Sequence, residues 1–235
     1  MSSQLAINGG AFGAYIARPA ALPAPGVVVL HEVFGVNADI RKTCDELAGQ
    51  GFIAVAPDLF WRQEPGVDLS ANSEPDWQHG LQLYAAYDRD RGAEDISHVL
   101  RTVTHLPDCT GRVAVMGFCL GGLMAFLTAA RFDADAVVAY HGGDTEKHLD
   151  EVGGLTAPLL MHLAEEDEFI SKAAQAAIKA ALASKKNATV FSYPGQHHAF
   201  ARHNGAHYNA EAATLANGRT SSFLREHLQG APAIA

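Results

Sequence analysis

Val113-Ala-Val-Met-Gly-Phe-Cys-Leu-Gly-Gly122 is the stretch whose reading decides the fold. Its first four residues carry no charge, as a strand buried on both faces of a sheet requires. The chain then turns at Gly117-Phe-Cys-Leu-Gly-Gly122 and continues as Leu123-Met-Ala-Phe-Leu-Thr-Ala-Ala130, a run of good helix formers. Strand, Gly-x-Cys-x-Gly turn and helix together form a nucleophile elbow, with cysteine where serine is more usual. The turn forces strained backbone on residue 119, so the residues two away on each side must lack side chains that would clash. The helix aims its N-terminus at the sulfur, and its partial positive charge favours the thiolate. Alone, the motif fits a packing cysteine as well as a reactive one; the rest of the chain has to separate the two.

Apolar residues make up 48% of the 235 and charged residues 18%, enough for a sizeable core. A formal charge of −9 with no basic run argues against nucleic acid or an anionic membrane surface as partner. The opening Met-Ser-Ser-Gln-Leu-Ala-Ile-Asn-Gly-Gly lacks the basic start and apolar core of a signal peptide. No apolar run approaches the ~18 residues that span a bilayer. Cys44, Cys109 and Cys119 are an odd, sparse set that suits free thiols in a reducing compartment. A cytoplasmic protein is expected.

Strands and helices alternate along the chain. Strands are expected at Ala11–Arg18, Val27–Leu30, Phe52–Ala56, Val113–Met116, Ala134–Tyr140, Pro158–Leu163 and Thr189–Tyr193. Helices are expected from an Asn37 cap to Ala48, over Asp76–Tyr87, Gly92–His105, Leu123–Ala130 and Ser171–Ala183, and over Asn209–Leu228. Pro19–Gly26 reads as a turn, Leu59–Pro75 as a surface excursion, the segment from His141 as a loop, and Gln229–Ala235 as a loose tail. No repeat or linker divides the chain, so residues 1–235 are read as one α/β domain: a mostly parallel sheet with helices on both faces.

Ligands of such sheets bind beyond the carboxyl ends of the strands. Four segments put polar residues there: His31-Glu32, Cys119, Ala164-Glu165-Glu166-Asp167-Glu168, and Pro194-Gly195-Gln196-His197-His198. Nucleophile, acid and histidine in that chain order are the arrangement of the α/β-hydrolase fold. Three roles at three strand ends are far more specific than any one motif, and point to acyl transfer. The residues themselves leave open which acid of the run 165–168 would serve.

Glu32-Val-Phe-Gly-Val-Asn37, Pro57-Asp-Leu59, Arg62-Gln63, the elbow, Asp167-Glu-Phe-Ile170 and His198-Ala-Phe-Ala-Arg202 together resemble the dienelactone hydrolases, the carboxymethylenebutenolidases, from about Gly13 to Leu224. The resemblance implies an α/β-hydrolase fold, a role in the breakdown of aromatic compounds, and a triad of Cys119, His198 and Asp167. It implies that Glu32 holds the thiol protonated or displaced at rest and helps form the thiolate when substrate binds. It places the oxyanion hole at the N–H groups of Val33 and Leu120. A substrate carboxylate would lie on Arg202, but the second arginine of the family is absent, and Trp77 stands nearest its place. His141 falls in the family's tyrosine pair, here Tyr140-His141, and Phe34 and Tyr84 would be aromatic walls. No cofactor is implied, and the partner is a small lactone or ester, an anionic one, met by a monomer or small homo-oligomer.

The remaining features have plainer readings. His197, His198, His203 and His207 cluster in one loop with no cysteine nearby, so no metal is expected. Cys44 lies on an apolar helix face, Cys109 in a turn, and Gly117-x-x-x-Gly121-Gly122 lacks the Lys-Ser/Thr ending of a phosphate loop. Two other functions compete with lactone opening: a carboxylesterase for neutral esters, and a binding or thiol-sensing protein in which Cys119 reacts without turnover.

Overall fold

The largely apolar strands pair into one sheet, and the helices cover it on both sides. The computed structural model describes residues 2–7, 10–203 and 205–229. In chain order the strands are β1 (Ser2–Ile7), β2 (Gly10–Ala17), β3 (Ala24–Leu30), β4 (Ile53–Pro57), β5 (Cys109–Phe118), β6 (Ala136–Tyr140), β7 (Leu159–Ala164) and β8 (Ala188–Tyr193). The helices are α1 (Ala38–Gly49), α2 (Glu74–Ala86), α3 (Arg89–Thr104), α4 (Leu120–Arg131), α5 (Lys172–Leu182) and α6 (Ala210–Leu228), with a 3₁₀ segment at Thr145–Gly154. The strands lie in the order β1-β2-β4-β3-β5-β6-β7-β8; β1 and β2 run antiparallel to their neighbours, and the rest are parallel.

Side chains alternate across the sheet and so build two cores. Val28, Leu30, Val113 and Val115 pack with α3, α4 and α5 on one face; Val27, Val29, Ala114 and Met116 pack with α1 and α6 on the other. Each such Val or Leu buried contributes about 1.5–3 kcal/mol. Caps fix the helix starts: Asn37, Ser73, Asp88, Ser171 and Asn209 each accept a hydrogen bond from the backbone N–H three residues on. Among the described residues, no helix is long and apolar enough to cross a membrane.

Several boundaries differ from the sequence reading. Ser2–Ile7 forms β1, where no strand is expected. The Asn8-Gly9 dipeptide after it is the common two-residue hairpin signal and marks the pair in the sequence. β3 starts at Ala24, inside the expected turn, and Cys109 opens β5 rather than lying in a turn. The register shift between Ala24 and Gly26 lets β3 and β5 begin early beside each other. α2 starts at Glu74 because Ser73 caps it and Pro75 fits the first helical turn. α4 starts at Leu120, so Gly121 and Gly122 of the elbow belong to the helix, while Gly117 stays in β5. A 3₁₀ segment stands where a loop after His141 is expected. The expected tail beyond Gln229 lies outside the described residues.

Register aligns the strand ends. Leu30 faces Gly117, Phe118 faces Tyr140, Tyr140 faces His162, and Ala164 faces Tyr193. The residues that follow β3, β5, β6, β7 and β8 therefore emerge along one edge of the sheet.

Candidate active site

At the turn from β5 to α4, Cys119 has φ 52° and ψ −115°, a left-handed backbone that a non-glycine residue holds only under strain. Its N–H donates to the Tyr140 carbonyl at 3.1 Å and its carbonyl accepts from Leu123 N–H at 3.1 Å, which lock the turn. A Cβ on Gly117 would run into the Gly121 backbone, and one on Gly121 into the Leu30 carbonyl. The expected demand for glycine on both sides is thus met by direct backbone contact. The N–H groups of Leu120 and Val33 find no acceptor among the described residues.

Asp167 follows β7. Its Oδ1 accepts from Phe169 N–H at 2.8 Å and Ile170 N–H at 3.1 Å, and its Oδ2 accepts from His198 Nδ1 at 2.9 Å. The run of acids resolves by placement. Glu165 accepts from Gly195 N–H, Glu166 pairs with Lys172, and Glu168 accepts from His197 and from the His198 backbone, whereas the Asp167 carboxylate is buried against the histidine ring. The His198 ring lies between His141, 4.5 Å away centre to centre, and Phe169 at 4.8 Å. Its Nε2 makes no hydrogen bond within the described residues. Burial opposes charge on this ring, but a Cys119 thiolate and Asp167 outweigh burial and raise its pKa to about 10.

Glu32 and Arg202 meet across the sheet edge. Arg202 Nε and Nη2 donate to the two Glu32 oxygens at 2.7 and 2.6 Å, both side chains being buried. The guanidinium also stacks over Phe34 at 5.0 Å and Trp77 at 6.0 Å. Burial works against its charge, but Glu32 holds its pKa above the ordinary value. Both oxygens of Glu32 are thus occupied by Arg202, and no hydrogen bond joins Glu32 to Cys119 among the described residues. Glu32 therefore stands in a buried salt bridge, and its partner is the residue expected to bind a substrate carboxylate.

A cavity of about 170 Å³ opens onto Cys119, His198 and Arg202. Trp77, Leu81 and Tyr84, spaced four and three residues apart on one face of α2, form one wall; Val33, Gly143, Asp144 and Phe169 complete the lining. Trp77 and Tyr84 thus both line this cavity. Phe34 is fully buried behind Trp77, 4.7 Å away ring to ring, and supports the wall rather than lining the cavity. His141 corrects its expected place as well. It lies beneath His198, buried, with φ 36° and with neither ring nitrogen hydrogen-bonded within the described residues. Burial, and then the positive His198 and Arg202, push its pKa well below 6.5, so the ring is neutral.

Leu81, Asp144 and Phe169 were missed. Leu81 was legible as the fourth residue after Trp77, and Phe169 lies within the Asp167–Ile170 motif. Asp144, at φ 67°, accepts from Tyr84 at 2.6 Å, Arg89 at 3.3 Å and Lys147 at 2.7 Å. Burial alone would raise its pKa, but those three donors hold it below the ordinary carboxylate value. Among the loop histidines, His197 pairs with Glu168 and His203 with Glu46, while His207 meets the His198 carbonyl and lies 3.9 Å from Glu168. Cys44 is buried in the core, which pushes its thiol pKa up.

Residues 12–228 match the Dienelactone hydrolase family. A protein of Azospirillum brasilense, provisionally named a carboxymethylenebutenolidase, is 44% identical over 228 residues, covering 93% of this chain and 95% of its own. Carboxymethylenebutenolidase 1 of Cupriavidus pinatubonensis (strain JMP 134) is 38% identical, covering 92% of each chain. A crystal structure from Klebsiella pneumoniae, provisionally named a dienelactone hydrolase, matches with TM-score 0.84 and 27% identity over 96% of this chain and 98% of its own. With the sheet order, the elbow and the aligned strand ends, these matches show that the chain belongs to the dienelactone hydrolase family and is a hydrolase.

Proposed function

We propose that the chain opens a small unsaturated lactone of the dienelactone type, or cleaves a related ester, with Cys119 as nucleophile. The observation that supports this reading is that strained Cys119, His198 with its buried Asp167 partner, and Val33 meet at one cavity, with Leu120 next to the cysteine in the chain. The Cys119 thiolate adds to the ester carbonyl, forming an S–C bond. The resulting oxyanion sits between the N–H groups of Val33 and Leu120, each worth about 3 kcal/mol when preorganised. Collapse breaks the ester C–O bond, and the His198 imidazolium gives its proton to the leaving oxygen. In a lactone that oxygen stays tethered to the acyl group. His198, now neutral, takes a proton from water, whose oxygen attacks the thioester. The acid is released and the thiolate returns, while Asp167 holds the ring orientation throughout.

Arg202 offers one bidentate guanidinium at the cavity. A substrate carboxylate can take the place of Glu32 there, and the freed Glu32 then becomes available to draw the proton from Cys119. The Trp77 indole N–H is committed to the Ala71 carbonyl at 2.7 Å, so it supplies no second donor. That arrangement, with apolar walls from Leu81 and Phe169, supports a neutral-ester reading as the second possibility. The free Cys44, Cys109 and Cys119 support a reducing, cytoplasmic setting.

Loss of the dienelactone ultraviolet band, run beside hydrolysis of a neutral aryl acetate, tests the reading. Turnover of the lactone that disappears in Cys119→Ala and weakens in Arg202→Lys is the expected result. Turnover of the acetate alone would favour neutral esters, and no Cys119-dependent turnover of either would leave a binding or sensing protein.

A further inference from the structure

We infer that Gly80 is a positioning residue for the oxyanion hole, acting through Val33. The inference rests on the reading of the Val33 N–H as one of the two donors. α2 does more than wall the cavity with Trp77, Leu81 and Tyr84. Midway between Trp77 and Leu83 it turns the buried Gly80 onto the loop after β3, where a Cβ at residue 80 would lie 2.6 Å from the Val33 carbonyl oxygen and 3.2 Å from Val33 Cγ2. Real side chains do not approach a backbone oxygen so closely, so any residue larger than glycine must move either the helix or the Val33 backbone.

The Val33 N–H and carbonyl belong to peptide planes joined at one Cα, so pressure on the carbonyl is relieved by rotation about that residue, which also swings the N–H. The rest of α2 resists a shift. Leu83 is buried in the core, with its carbonyl held by Gln63 Nε2 at 3.0 Å, and Tyr84 is tied to Asp144. Alanine is the better helix former, so helix propensity does not explain glycine here. The close approach does. Because an oxyanion donor acts in the transition state and little in the ground state, its displacement lowers kcat and leaves KM nearly unchanged.

The test compares Gly80→Ala with wild type and with Gly218→Ala, a helical glycine on α6 whose Cβ would meet nothing within 4 Å. For lactone hydrolysis, Gly80→Ala is expected to lower kcat by about 10- to 100-fold, with KM changing by less than about threefold, and Gly218→Ala to behave as wild type. Alkylation of Cys119 by iodoacetamide needs no oxyanion hole and is expected at the wild-type rate in both. An unchanged kcat, or a rise in KM alone, overturns the inference. So does a parallel loss of alkylation, which would mean a general structural role. Should Gly80→Ala lose the wild-type circular dichroism spectrum, adding Leu83→Ala gives α2 room to retreat from Val33. Recovery of the spectrum with a kcat matching that of Leu83→Ala alone supports the contact, and no recovery, or recovery with only KM raised, overturns it. If the wild type itself shows no Cys119-dependent turnover, the underlying reading fails before Gly80 is involved.

Discussion

His198 carries two opposed influences: burial, which disfavours its charge, and the neighbouring Cys119 thiolate and Asp167, which favour it. In the proposed mechanism the imidazolium supplies the proton for the leaving oxygen, so activity would be lost as it deprotonates. With its pKa raised to about 10, the alkaline limb of kcat/KM is expected near that pH. Asp167→Asn removes one raising partner, so the limb moves to lower pH and kcat falls by about 10²–10⁴-fold. A limb that stays in place would remove Asp167 from this role. Asp39 shows the reverse relation between charge and fold. Burial, and then Glu32, raise its pKa to about 7, so the fold prefers its neutral form. The resulting penalty is present in full above about pH 7 and disappears as pH falls toward 3.8, the ordinary value. Asp39→Asn is therefore expected to melt higher than wild type at pH 8, with the difference shrinking by pH 5; a constant difference would contradict the assignment.

Elements differ in how plainly the sequence announces them. α1 was legible because Asn37 caps it and Ile40, Cys44 and Leu47 share one buried face. The elbow was legible because backbone contact dictates glycine at fixed spacing. The 3₁₀ segment was not, since 3₁₀ geometry leaves no long hydrophobic period to read. The role of α2 as a wall was legible only in part: Trp77 and Tyr84 were named from the sequence, but the contacts that set the helix reach two separate segments, Gly80 and Trp77 on Val33-Phe34 and Tyr84 on Asp144. Tyr84→Phe removes the last of these while keeping the ring. Its expected effect is a rise in KM of about 3- to 10-fold with kcat little changed, the pattern of lost ground-state binding. Equal loss in kcat would place the phenol in the chemistry instead.

Across the whole molecule, Glu32 and Arg202 join the loop after β3 to the loop after β8, 170 positions apart. Periodicity and local motifs say nothing about such a pairing, which explains why both residues were identified while their contact was not. The strand-end residues were legible for the opposite reason, since a parallel sheet delivers all of them to one edge. Cutting a buried pair strands the remaining charge. Arg202→Met is expected to cost about 3–5 kcal/mol, lowering Tm by roughly 10 °C, and Glu32→Gln in addition should recover part of the loss. Calorimetry on the single and double variants checks this; additive losses would mean the pair is not the source.

The most direct measurement is intact mass of the wild type and Cys119→Ala, acid-quenched during turnover of dienelactone. Because the leaving oxygen remains tethered, the account predicts a gain equal to the full mass of the lactone, located on the peptide carrying Cys119 and absent from Cys119→Ala. Undiminished hydrolysis by Cys119→Ala, or a covalent adduct located on another residue, would contradict it.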